Sequence, residues 1–102
     1  MAQDRKKLHK ILEDILGTKN VYFQPPENIK IGYPCIIYSQ SGYDIDRADN
    51  TAYRITPAYT IIYVSKKYDT TIVPKILTLL NGRFDTSYIS DNLYHYVTTI
   101  FF

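Results

Sequence analysis

Residues 53–65, Y-R-I-T-P-A-Y-T-I-I-Y-V-S, alternate with period two. Tyr53, Ile55, Tyr59, Ile61 and Tyr63 fall on one side, and Arg54, Thr56, Ala58, Thr60, Ile62 and Val64 on the other. Alternation this rich in β-branched and aromatic residues predicts a long strand. The second side starts polar and ends apolar, which predicts that one end of the strand is covered from both faces. Pro57 removes a donor from the ladder and predicts a bulge or an edge position there.

The rest of the chain arranges itself around that strand. Leu8, Ile11, Leu12, Ile15 and Leu16 form one helical stripe, opposite Arg5, Lys6, Lys10, Glu13 and Asp14. This predicts a helix over residues 4–16, with Asp4 as N-cap and Gly17 just past the end. Val21, Tyr22 and Phe23 predict a brief strand or an arm, which Pro25 and Pro26 continue as extended chain. Residues 35–39, C-I-I-Y-S, predict a buried strand. Residues 41–50 carry Gly42, Asp44, Asp46, Asp49 and Asn50 and predict a polar loop, mobile in the free chain. Ile72, Val73, Ile76, Leu77 and Leu80 predict a second, more buried helix. Asp69, Thr70 or Thr71 would cap it, Pro74 would lie in its first turn, and Asn81-Gly82 would end it. Residues 84–89 and 93–102 predict a hairpin turning at Ser90-Asp91-Asn92. Together these elements predict one α+β domain over residues 1–102: a mostly antiparallel sheet of four main strands with both helices packed on one face.

Composition narrows the function more by exclusion than by suggestion. The chain has 102 residues, 45% of them hydrophobic, within the globular range. A net charge of +2 is too small to argue for nucleic-acid binding. The single cysteine, Cys35, excludes an internal disulfide and reads as a small buried hydrophobe. The polar, charged N-terminus and the lack of an apolar run of ~20 residues predict a soluble protein with no membrane partner, made in a cytoplasm. Eleven tyrosines without a tryptophan supply core residues and contact residues alike.

No motif carries chemistry. The four glycines lie too far apart to cradle a phosphate. His9 has no second metal ligand at helical spacing and His95 has no Cys, His or carboxylate neighbour in sequence. The acidic stretch fails as a calcium loop: counted from Asp44, the positions that need an oxygen ligand, a glycine and a glutamate hold Ala48, Asp49 and Ile55. The residues therefore predict no cofactor, no metal and no enzyme, and favour a binding or structural module.

The order of segments resembles a known family. R-K-K-L-H-K-I-L-E-D-I-L-G is followed by N-V-Y-F-Q-P-P-E-N-I-K-I-G-Y-P-C-I-I-Y, then A-D-N-T-A-Y-R, the helix with Pro74, and F-D-T-S-Y-I-S-D-N-L-Y-H-Y-V before an aromatic C-terminus. This resembles the small tail-completion proteins of bacteriophages, specifically the tail terminators of long-tailed phages. The resemblance implies a structural virion protein at the tail–neck junction, assembled in the host cytoplasm. It implies a homo-oligomeric ring of six on the head-proximal end of the tail tube, with tail-tube protein on one side and the head connector or stopper on the other. DNA would pass through without being read. Tyr43, Asp44, Asp46, Arg47 and Asp49 are then candidates for an assembly or lumen loop, whose carboxylates would repel phosphates. Phe101 and Phe102 are candidates for a subunit interface: alternation sends one under the helices and the other to the open face of the sheet. Two alternatives stay open. One is the neighbouring head-completion or stopper protein. The other is a nucleic-acid-binding regulatory module stacking bases on exposed tyrosines.

Overall fold

The structure, a computed structural model, describes residues 5–25, 31–48 and 51–102. Its elements are α1 (Arg5–Leu16), β1 (Val21–Phe23), β2 (Cys35–Ala48), β3 (Thr51–Ser65), α2 (Ile72–Leu79), β4 (Asn81–Ser90) and β5 (Leu93–Phe101). The fold is α+β, with five strands in the order β1-β2-β3-β5-β4. The expected four-strand antiparallel sheet is thus extended by β1, which pairs parallel to β2 through Val21–Ile36 and Phe23–Tyr38. A three-residue run carries too little periodicity to announce itself as a ladder partner.

Both helices lie on one face of the sheet and share one core. Leu8, Leu12 and Ile15 of α1 and Ile72 and Ile76 of α2 are buried with Ile36, Tyr38, Ile61, Tyr63 and Ile100. Burying each such aliphatic side chain stabilises by about 1.5–3 kcal/mol before entropy is counted. Gly17 ends α1 with φ +83°, and its N–H bonds the Glu13 carbonyl at 2.8 Å. This is the left-handed cap that its position predicts. The expected N-cap, Asp4, lies outside the described residues.

Arg5 departs from expectation. It stands on the same helical stripe as Leu8, Leu12 and Ile15, three residues ahead of Leu8, so it faces the sheet. Its guanidinium sits 4.2 Å from the centre of the Phe23 ring and donates to the Tyr38 hydroxyl at 3.1 Å. The contact ties α1 to β1 and β2 through a cation–π pair.

The end of α2 also differs. The helix stops at Leu80, and Asn81-Gly82 opens β4 instead of forming a turn. A Cβ built on Gly82 would collide with the Thr99 carbonyl and with Ile100. This glycine therefore serves a close approach of strands, where it was expected to cap a helix.

Pro57 marks the point where β3 leaves the sheet. β5 pairs with β3 only up to Phe101–Ala58, so on that side Pro57 has no ladder partner. Its carbonyl instead accepts the Phe102 N–H at 3.1 Å. The bulge that such a strand invites falls one strand over, between Gln40 and Gly42 of β2. At the other end of β3, Val64 and its neighbour Cys35 are buried although the register places them on the side away from the helices. This is the covering from both faces that the sequence pattern predicts. Burial pushes the Cys35 thiol up to about 11, as expected of a packing residue.

Candidate assembly surfaces

Residues 41–48, expected as the greater part of a mobile loop, are strand. β2 and β3 continue as a two-stranded arm beyond the last residue of β5, from Tyr43–Pro57 through Asp44–Thr56, Ile45–Ile55 and Asp46–Arg54 to Ala48–Thr51. At ~3.4 Å per residue the arm projects about 20 Å, in a molecule measuring 49 × 23 × 23 Å. The turn composition of the stretch concealed it, together with the break in alternation at the bulge. Ile36, Tyr38 and Gln40 face the helix side; the extra residue then shifts the phase, so that Tyr43 and Ile45 face that side too.

The shift sorts the arm into two sides. On the helix side, beyond the reach of either helix, Tyr43 (61% exposed), Ile45 (42%) and Ile55 (49%) make an apolar strip in water. On the other side stand Asp44, Asp46, Arg54 and Thr56, with Arg54 Nε 3.9 Å from the Asp46 carboxylate. The acidity read from residues 41–50 left out Arg54, which pairing brings opposite Asp46. Among the described residues of the arm, two carboxylates (Asp44, Asp46) balance two guanidiniums (Arg47, Arg54). Of the expected acidic set, Asp49 lies outside the described residues. Asp44, Asp46, Arg54, Phe101 and Phe102 line a shallow hollow of about 280 Å³ where the arm meets the sheet.

The two terminal phenylalanines separate as alternation requires. Phe102 turns to the helix side, is 8% exposed and belongs to the core. Its candidacy as an interface residue is corrected on that ground: little of the ring is left to offer a neighbour. Phe101 stays half-buried on the other side, with the Arg83 guanidinium 5.8 Å from its ring centre. Of the pair, only Phe101 lies where a neighbouring molecule could touch it.

Edge β4 is a surface that sequence reasoning missed. It runs ten residues where six were expected, and nearly all of them are exposed. Phe84 (46%) and Ile89 (65%) face the helix side, opposite Thr98 and Tyr94 of β5. On the other side Tyr88 stacks on His95 with ring centres 4.6 Å apart, and Arg83 Nε contacts Asp85 at 3.2 Å. A bulge in this strand, between Phe84 and Thr86, lets the Asp85 carboxylate accept from the Thr99 hydroxyl. Tyr68, Tyr88, Tyr94 and His95 border an open aromatic hollow of about 390 Å³ at this end.

Both histidines bond within the fold. His9 Nδ1 lies 2.8 Å from the Tyr38 hydroxyl, and His95 Nδ1 donates to the Leu93 carbonyl at 3.1 Å. Among the described residues no His, Cys, Asp and Glu group has the arrangement to hold a metal, and no helix is long and apolar enough to cross a membrane. Compared with protein-family models and with curated proteins, the chain matches none.

Proposed function

We propose that this chain is a structural assembly protein of the tail-terminator kind. It would form a ring of six on the head-proximal end of a phage tail tube, stop the tube from growing and present a surface to the head connector. The sequence resemblance supplies the role. The observation that supports it most is an apolar strip on a projecting arm, beyond the reach of the protein's own helices. Two-stranded ribbons are marginal in water unless something packs on them, and exposed apolar surface of this kind marks contacts with other proteins. On this reading the protein works by shape and symmetry. Each subunit makes the same head-to-tail contact and the rotation closes. The near-balanced charge of the arm suits a passage through which DNA slides without being held, because retention would need a surplus of cations.

Seeded polymerisation of the tail-tube protein, followed by light scattering, tests the proposal. Added at the level of tube ends, the protein should arrest growth. Undiminished growth contradicts the role, and capping of the head connector instead would assign the neighbouring stopper position. Salt-dependent binding of single-stranded DNA would favour the nucleic-acid reading.

A further inference from the structure

From the topology we infer that the arm of one copy pairs, strand to strand, with edge β4 of a second copy. The inference rests on the proposed self-assembly and names the surfaces that carry it. Among the described residues, three long strand edges have no ladder partner: the β3 side of the arm before Pro57, the outer edge of β2 and the outer edge of β4. The outer edge of β2 is occupied as far as Gln40, by β1 and by the Gln24 side chain, and is open along the arm. The outer edge of β4 is open throughout. Open edges of this length are liabilities unless they are used.

Direction and side both fit this occupant. β3 is antiparallel to β2 and to β5, and β5 is antiparallel to β4, so β4 runs antiparallel to β2. A second copy in the same orientation, displaced along the strands so that its β1 clears β4, lays its arm antiparallel along β4 and continues the sheet. In a continued sheet the helix side stays the helix side. Tyr43 and Ile45 of the arm then fall on the same side as Ile89. Apolar groups exposed on both surfaces in the single molecule cover one another in the pair. The contact joins two different surfaces and leaves one of each free, so it propagates from copy to copy and can close into a ring.

Two variants in exposed positions test this: Ile45→Lys on the arm and Ile89→Lys on β4. Sedimentation velocity of the full chain is run from about one to several hundred micromolar, a range that spans weak protein contacts. Wild type should associate beyond the dimer as concentration rises. Each variant should remain monomeric at concentrations at least tenfold higher. An equimolar mixture of the two should form one-to-one pairs and go no further, because only the intact arm of one and the intact β4 of the other remain. Unchanged melting temperatures confirm folding, and should either lysine variant unfold, glutamine at the same position repeats the test. Wild-type association by either variant overturns the inference while leaving ring assembly through other contacts. A mixture that stays monomeric, or a wild type that never associates, also overturns it. One-to-one pairing by a protein that fails to arrest tube growth would overturn the tail role and leave the interface standing.

Discussion

Asp69 joins a strand to a helix through its two carboxylate oxygens. One accepts from the Tyr63 hydroxyl at 2.7 Å, the other from the Thr71 backbone N–H and hydroxyl at 2.7 Å each, while the Asp69 N–H donates to the Tyr96 hydroxyl at 3.0 Å. Thr71 occupies the N-cap of α2 without a side-chain capping bond of its own, so Asp69 orders that end from two residues upstream. Burial alone would raise the Asp69 pKa, but the bonds from Tyr63 and Thr71 outweigh it and hold the carboxyl below its ordinary value. Burial first, and then the bond to Asp69, push the Tyr63 hydroxyl far up, so it stays a donor at every working pH. A carboxylate whose folded pKa lies below the unfolded value of about 3.9 stabilises above that value and loses the contribution as pH falls through the folded one. Asp69→Asn should therefore melt below wild type at neutral pH, with the gap closing as pH falls below about 4. A gap independent of pH in thermal denaturation would contradict this. Gly82 gives a second residue-scale prediction. Gly82→Ala must displace β4 from the Thr99 carbonyl and should cost about 1–3 kcal/mol in chemical denaturation, the range for forcing an extra methyl into packed structure. The sequence named Asp69 as one of three possible caps. The tyrosines that position it were invisible because they come from strands that meet only on pairing.

Phase explains what was legible among the elements. The helix over residues 5–16 and the strand over 54–65 hold one period and were readable nearly to the residue, as 4–16 and 53–65. The arm half of β2 was not, because the bulge after Gln40 turns a single strand into two short runs of opposite phase, and Gly42 with three aspartates nearby then reads as a turn. In β4 the mixed pattern around the bulge after Phe84 showed only residues 84–89 of the ten as strand. Of the candidate site, Tyr43 was singled out for its place in a loop and proves to belong to an apolar strip. Ile45 and Ile55 could not be joined to it without the register. Replacing Asp44, Asp46 and Asp49 together by asparagine should move the melting temperature little, since an exposed pair such as Asp46–Arg54 is worth about 0–1 kcal/mol; a fall of many degrees in calorimetry would contradict this. The end of β5 behaves differently. Phe102→Ala should cost about 3 kcal/mol, as for other buried aromatics, whereas Phe101→Ala should cost about 1 kcal/mol or less, the scale of a cross-strand pair. Equal costs in urea unfolding would mean that the two rings share one environment.

As a whole molecule the protein is a helix-covered sheet with an arm at one end and an open edge along one side. The β3-α2-β4 connection crosses over β5 and leaves β4 outermost, while the extension of β2 and β3 past β5 makes the arm. The arm follows from strand lengths: β2 and β3 run 14 and 15 residues, against 9 for β5. The core closes without the arm, so the arm's apolar side is available to another molecule. The central claim is that this availability serves a closed ring at the end of a tail tube. Negative-stain electron microscopy of tail tubes assembled with the protein tests it most directly. The account predicts tubes of arrested length bearing a six-fold ring at one end only, and tubes with two bare ends, or with the protein bound along their sides, would contradict it.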